Sequence, residues 1–164
     1  EEFAKRPKTL EGEIFPVKVK GEQFAVILGY MNGKPYEIFA IRPTSSISQE
    51  KGQIIKRAKR HYSFKSENIS IDNILETNIN AEENTATLYI SQLLRHNVPI
   101  KYIIKTAKKA HPSIVSFTSA ICRILSRFLE TETTEERCPI CGGKMIKESG
   151  CMHCENGDYS KCGD

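Results

Sequence analysis

Five of the six cysteines fall within 25 positions near the C-terminus: Cys138-Pro139-Ile140-Cys141-Gly142-Gly143, Cys151-Met152-His153-Cys154 and Cys162. Two C-x-x-C pairs, the first followed at once by two glycines, suit a pair of opposed knuckles wrapped around a tetrahedral ion. Two intervening residues let both sulfurs of a pair aim at one centre, and the glycines free backbone N–H groups to face them. The pattern predicts zinc bound by Cys138, Cys141, Cys151 and Cys154. A disulfide framework is the competing reading, and the cysteine-poor remainder of the chain argues against it. With four thiolates on zinc, Cys162 is left over. It lies in a polar terminal stretch where Lys161 favours the thiolate and Asp158 and Asp164 oppose it. Such a thiol could reach a disulfide and reduce it by exchange.

Other chemistry-bearing residues are scattered. Cys122 lies beside an apolar helical stripe and reads as a buried, inert thiol. Of His61, His96, His111 and His153, only His153 neighbours the cysteines, and its flanking thiolates are the better ligands. The sequence holds no phosphate loop, no Ser/His/Asp-type constellation and no paired-carboxylate signature, so no catalytic residue is expected in this segment. The main domain reads as a scaffold or accessory module.

The chain has 164 residues, 39 % hydrophobic and 27 % charged, which suits one ordinary domain with a small appendage. No apolar run is long enough to span a bilayer. Cysteine usage points to a reducing, cytoplasmic setting. The chain begins at Glu1 rather than Met, which reads as a piece of something longer. From Thr131 onward, seven acids against four bases leave the tail at about −3 and the remainder at about +7. That excess permits an anionic partner, although a solvated basic face is the blander reading.

The elements that must position the cysteines follow from periodicity. Residues 1–12 read as an incoming linker. Strands are predicted near 13–20, 23–31 and 35–42, with Asn32-Gly33 as a hairpin turn between the second and third. Gly52–Lys65 could be a basic helix, but the alternation of Tyr62 and Phe64 favours two short strands. Its five bases at 56–65, interleaved with aromatics, would also suit single-stranded nucleic acid. Asn80 with Glu83 offers a capping box for a helix carrying Ala86, Ile90, Leu93 and Leu94. Pro99 suits the first turn of a second helix, with Ile100, Ile103, Ile104 and Ala107 on its apolar face. Ser113 would cap a third, whose Ile114, Phe117, Ile121, Ile124, Leu125 and Phe128 share one face. The expected fold is α+β: an antiparallel sheet of about four to five strands packed by three helices over residues 13–130, then a small zinc-ribbon tail over 131–164.

These residues resemble a known family. The ending from Cys138 through Gly142-Gly143, Gly150-Cys151 and Cys154 to Tyr159-Ser160-Lys161-Cys162-Gly163 is similar to the C-terminus of adenosylcobalamin-dependent (class II) ribonucleotide reductases. Upstream, Arg6-Pro7-Lys8-Thr9-Leu10-Glu11-Gly12, the Asn32–Phe39 hairpin, Leu94–Lys101 and the third helix resemble the accessory domain that precedes this tail. The resemblance implies a parent enzyme that makes deoxyribonucleotides by radical chemistry in a barrel N-terminal to Glu1, where adenosylcobalamin would bind. It implies that C-terminal cysteines, Cys162 being the last, re-reduce the active-site disulfide and are themselves re-reduced by a thioredoxin-like partner.

The sequence departs from that family in one place: Gly157 stands where a cysteine is usual. Zinc could take Cys138, Cys141, Cys151 and Cys154 with Cys162 acting alone. Alternatively, Cys154 or Cys151 pairs with Cys162 for exchange, and the metal takes a different ligand or is lost. The runner-up from another class is a zinc-ribbon binding module, for nucleic acid or protein, with no redox role.

Overall fold

A computed structural model describes residues 5–76, 79–109, 115–129, 132–148, 151–157 and 159–162. Six antiparallel strands form the first sheet: β1 (Thr9–Val19), β2 (Glu22–Met31), β3 (Lys34–Ile41), β4 (Glu50–Ala58), β5 (His61–Ser66) and the two-residue β6 (Ser70–Ile71), in spatial order β3-β2-β1-β4-β5-β6. Asn32 and Gly33 both take positive φ, 54° and 76°, as the tight hairpin between β2 and β3 requires. The basic stretch forms the hairpin β4–β5, in keeping with the alternation of Tyr62 and Phe64.

The start of β1 differs from expectation. Thr9–Gly12 pairs with β4 instead of forming a linker, and Leu10 is buried. The alternation Leu10, Gly12, Ile14 was obscured by Gly12, which has no side chain to register as apolar. Gly29, Gly12 and Gly52 are cross-strand partners in one row across β2, β1 and β4. A Cβ on Gly12 would lie 2.9 Å from the Leu28 carbonyl oxygen, and one on Gly52 would run into that of Lys65. The row lets neighbouring strands and side chains approach closely. The sheet coils enough to bring the Phe39 ring of β3 to 5.2 Å from the Tyr62 ring of β5.

Coiling buries both faces. Ile14, Ala25, Ile27, Phe39, Ile41, Ile54 and Phe64 close one core with Ile74 from a 3-10 turn at Ile74–Glu76. The opposite face, with Phe15, Phe24, Val26, Leu28, Ile38 and Ala40, receives the helices α1 (Ala81–Arg95), α2 (Ile100–Ala107) and α3 (Val115–Leu125). Burial on both sides explains the unbroken buried run Phe24–Gly29, as alternation is lost when neither face meets water. Asn80 caps α1 as expected: its side chain accepts the Glu83 N–H at 2.8 Å, and Glu83 accepts the Asn80 N–H at 3.0 Å. Pro99 sits immediately before α2. The predicted cap Ser113, together with Ile114 and His111, lies outside the described residues. Ser91 of α1 bonds both the N–H and the C=O of Ile38, each at 3.0 Å, and so satisfies part of the open edge of β3.

A buried charge cluster ties three parts of the chain together. The Glu37 carboxylate of β3 is fully buried and accepts Arg6 Nη2 at 2.7 Å and Arg95 Nη2 at 2.9 Å. Arg6 also donates to the Pro7 and Lys8 carbonyls, fixing the approach to β1. Among the described residues no helix is long and apolar enough to cross a membrane.

The cysteines lie in a second, four-stranded antiparallel sheet of β7 (Glu132–Arg137), β8 (Lys144–Glu148), β9 (Cys151–Cys154) and β10 (Ser160–Cys162), ordered β10-β9-β8-β7. Among the described residues its core is small: Cys138, Met145 and Cys154, with Met152 and Tyr159 against them. So little buried apolar surface is a weak basis for independent stability, and folds of this size rely on metal or disulfide cross-links.

Candidate metal centre and paired cysteines

The β7–β8 connection is a knuckle. Cys138 N–H donates to the Gly143 carbonyl at 2.8 Å and closes the turn. Inside it, Cys138 Sγ accepts the Ile140 N–H, and Cys141 Sγ accepts the Gly143 N–H, each at 3.4 Å. Gly142, at φ 74°, reverses the chain so that these N–H groups face sulfur. The β9–β10 connection repeats the device. Cys154 N–H donates to the Tyr159 carbonyl at 2.8 Å, and Cys154 Sγ accepts the Asn156 N–H at 3.3 Å.

The two knuckles face each other. Sγ atoms of Cys138, Cys141 and Cys154 all lie within 4.8 Å of one another, with Cys141 and Cys154 sulfurs 3.3 Å apart. Tetrahedral coordination with metal–sulfur bonds of about 2.3 Å would place the sulfurs about 3.8 Å apart. Only small adjustments separate the cluster from that geometry. Burial works against ionisation of Cys138. The Cys141 and Ile140 N–H groups, then the neighbouring Cys154 and Cys141 thiols, outweigh it and hold the Cys138 pKa below its ordinary value. Soft donors converging on one point, each accepting an N–H bond, can hold a metal ion.

Cys151, the fourth residue of the expected ligand set, does not join this cluster. Cys151–Cys154 is a strand rather than a knuckle, and residues three apart on a strand project from opposite faces. Cys151 instead stands directly across from Cys162 in the β9–β10 pair, and their sulfurs are joined as a disulfide. The five clustered cysteines therefore divide into a group of three and a bonded pair. The C-x-x-C spacing pointed to a knuckle at 151–154. The better signal was Cys154-Glu155-Asn156-Gly157, whose Asn-Gly ending favours a turn.

The remaining candidates fall elsewhere. Cys122 is buried on α3, where burial pushes its thiol pKa up and Lys108 only partly offsets that. His61 Nε2 meets the Asp72 carbonyl at 3.0 Å, and His96 caps the end of α1. His153, on β9 opposite Ile146 and Ser160, is not one of the clustered ligands. In the basic hairpin, Phe64 is fully buried and Tyr62 packs on Phe39, so neither ring is free to stack on a base. Sequence reasoning missed the Arg6–Glu37–Arg95 cluster, because nothing local marks a glutamate on an alternating strand as buried.

No curated protein and no solved structure matches the chain. Residues 10–130, from the first buried residue of β1 to just beyond α3, match the family model described as the NrdJ homologue C-terminal domain; the cysteine ribbon lies beyond the match. The chain thus belongs to the NrdJ homologue C-terminal domain family, and its α+β domain is an accessory part related to class II ribonucleotide reductases.

Proposed function

We propose that this chain is the C-terminal portion of an adenosylcobalamin-dependent ribonucleotide reductase and that its tail re-reduces the enzyme's active-site disulfide. The observation that carries this reading is the division of the tail cysteines into a three-sulfur cluster and the Cys151–Cys162 pair. A lone thiol can open a disulfide but needs a second to resolve the mixed product; Cys151 is that second thiol. Cobalamin supplies radical chemistry in the catalytic barrel, outside this segment, and no residue here is assigned to it.

Cys138, Cys141 and Cys154 would hold zinc, which when bound would pin the two knuckles together and give the exchanging strand a fixed base. Among the described residues strand β10 is short, exposed and paired only with β9, and Lys161 forms an exposed ion pair with Glu136 at 3.5 Å. The disulfide closes a loop of separation 11, which corresponds to about 3 kcal/mol of chain entropy. Once it is reduced, little holds β10 in place, and Cys162 can travel.

The exchange balances as follows. The Cys162 thiolate attacks one sulfur of the barrel disulfide, and the electron pair of the broken S–S bond leaves on the other sulfur. The Cys151 thiolate then attacks the Cys162 sulfur, which releases the second barrel thiolate and forms the Cys151–Cys162 bond. Two electrons and two protons pass to the barrel cysteines. A thioredoxin-like dithiol returns them to the tail by the same exchange. An exposed disulfide of this exchanging kind is at home in the reducing cytoplasm.

In the full-length enzyme, Cys162→Ser and Cys151→Ser should each abolish turnover supported by thioredoxin and spare turnover supported by a small dithiol. Undiminished thioredoxin-supported turnover in either variant overturns the shuttle.

A further inference from the structure

We infer that the metal centre is a three-thiolate site whose fourth coordination position, at Gly157, stays open and takes a small exogenous donor, an imidazole or a thiolate. The inference rests on the reading that the ribbon holds a divalent metal.

The two knuckles supply the argument through their internal likeness. In each, the leading cysteine closes the turn with an N–H bond to the carbonyl five residues on, and its sulfur accepts the N–H two residues on. In the first knuckle the residue three positions on is Cys141, which contributes the second thiolate. In the second knuckle that residue is Gly157, whose N–H bonds the Cys154 carbonyl at 3.0 Å. Gly157 brings no side chain to the cluster, and it takes the positive φ (79°) that the first knuckle places one residue later, on Gly142.

Among the described residues the space there is free. A Cβ on Gly157 would meet nothing within 4 Å, whereas one on Gly143 would lie 2.9 Å from Asn156 Nδ2. Among the described residues no fourth His, Cys, Asp or Glu joins the cluster. Cys151 is not available to fill the fourth position: it lies on the other face of β9 and is bonded to Cys162. Structural zinc sites are closed by four protein ligands, whereas those with three keep a position for water or an incoming molecule. Three thiolates on a divalent ion leave one negative charge rather than two. The ion keeps more Lewis acidity than in a four-thiolate site, and an added donor is correspondingly better held.

Cobalt(II) titrated into the chain with its disulfide intact tests this optically. Stoichiometric uptake should give tetrahedral d–d bands, and added imidazole, which leaves the disulfide untouched, should shift them saturably. Gly157→Cys should raise the sulfur-to-cobalt charge-transfer intensity by about one third, one thiolate added to three, and abolish the imidazole shift. Its φ of 79° strains any side chain, so the imidazole titration of the unaltered chain is the deciding measurement. Cobalt uptake with bands that imidazole does not move overturns the open position alone, as does a shift that emerges only in Asp158→Ala. Failure to take up cobalt overturns the metal reading as well.

Discussion

Replacing Glu37 by glutamine removes one charge and almost no volume, which makes it a clean probe of the buried cluster. The carboxylate is inaccessible to solvent, and the Arg6 side chain is only 9 % exposed against 30 % for Arg95. Arg6 approaches through Nη2 at 2.7 Å and Nε at 3.1 Å, and Arg95 through Nη2 at 2.9 Å. Breaking a buried ion pair from one side costs about 3–5 kcal/mol, because the remaining charge is stranded. Arg95 can recover part of its hydration, and its buried Nε has no hydrogen-bond partner among the described residues, so the lower end applies. Glu37→Gln should therefore destabilise the domain by about 3 kcal/mol, lowering Tm by roughly 10–15 °C. By the same reasoning Arg6→Ala should cost about 2 kcal/mol and the more exposed Arg95→Ala about 1 kcal/mol. Urea melts followed by far-UV circular dichroism would measure all three, since the chain has no tryptophan to report by fluorescence. A loss below about 1 kcal/mol for Glu37→Gln, or a larger loss for Arg95→Ala than for Arg6→Ala, would refute the ranking by burial.

Other expected outcomes follow from single contacts. Gly52→Ala should destabilise by more than about 2 kcal/mol in the same melts, as its Cβ collides with the Lys65 carbonyl and crowds Phe64 across the coiled sheet. Asn80→Ala removes one arm of the capping box and should cost about 1 kcal/mol, with Asn80→Gly costing less. Cys122→Ala should cost about 1 kcal/mol, and thiol titration of the folded chain should register no loss, since that sulfur is buried and its ionisation suppressed. A strong chelator should make the 132–162 ribbon sensitive to protease while the Tm of the α+β domain holds, because the ribbon core of Cys138, Met145 and Cys154 is too small to persist alone. A chelated ribbon that resists proteolysis as before would count against metal-dependent folding.

Local signals in the sequence were enough for what depends on near neighbours. Asn32-Gly33 specifies its hairpin because two adjacent positive-φ residues leave the backbone few alternatives. Asn80 and Glu83 mark the start of α1 through bonds spanning three residues. The alternation of Tyr62 and Phe64 was enough to choose strand over helix, and the cysteine-rich tail was legible as a place where sulfurs gather. What depended on distant partners was not legible. Leu10 is in a strand because β4, some forty residues away, pairs with it, and Glu37 is buried because Arg6 and Arg95 arrive from two other elements.

The cysteines divide along the same line. Composition and spacing marked these residues as candidates for metal binding or disulfide exchange, since that chemistry belongs to the thiol itself. Which sulfurs cluster and which pair was decided only in three dimensions. Strand parity turns Cys151 away from Cys154, the β9–β10 register sets it against Cys162, and the second knuckle falls on Cys154 and Gly157. Spacing along a chain states how far apart two sulfurs can be; the backbone between them, extended or turned, determines whether they point at the same place.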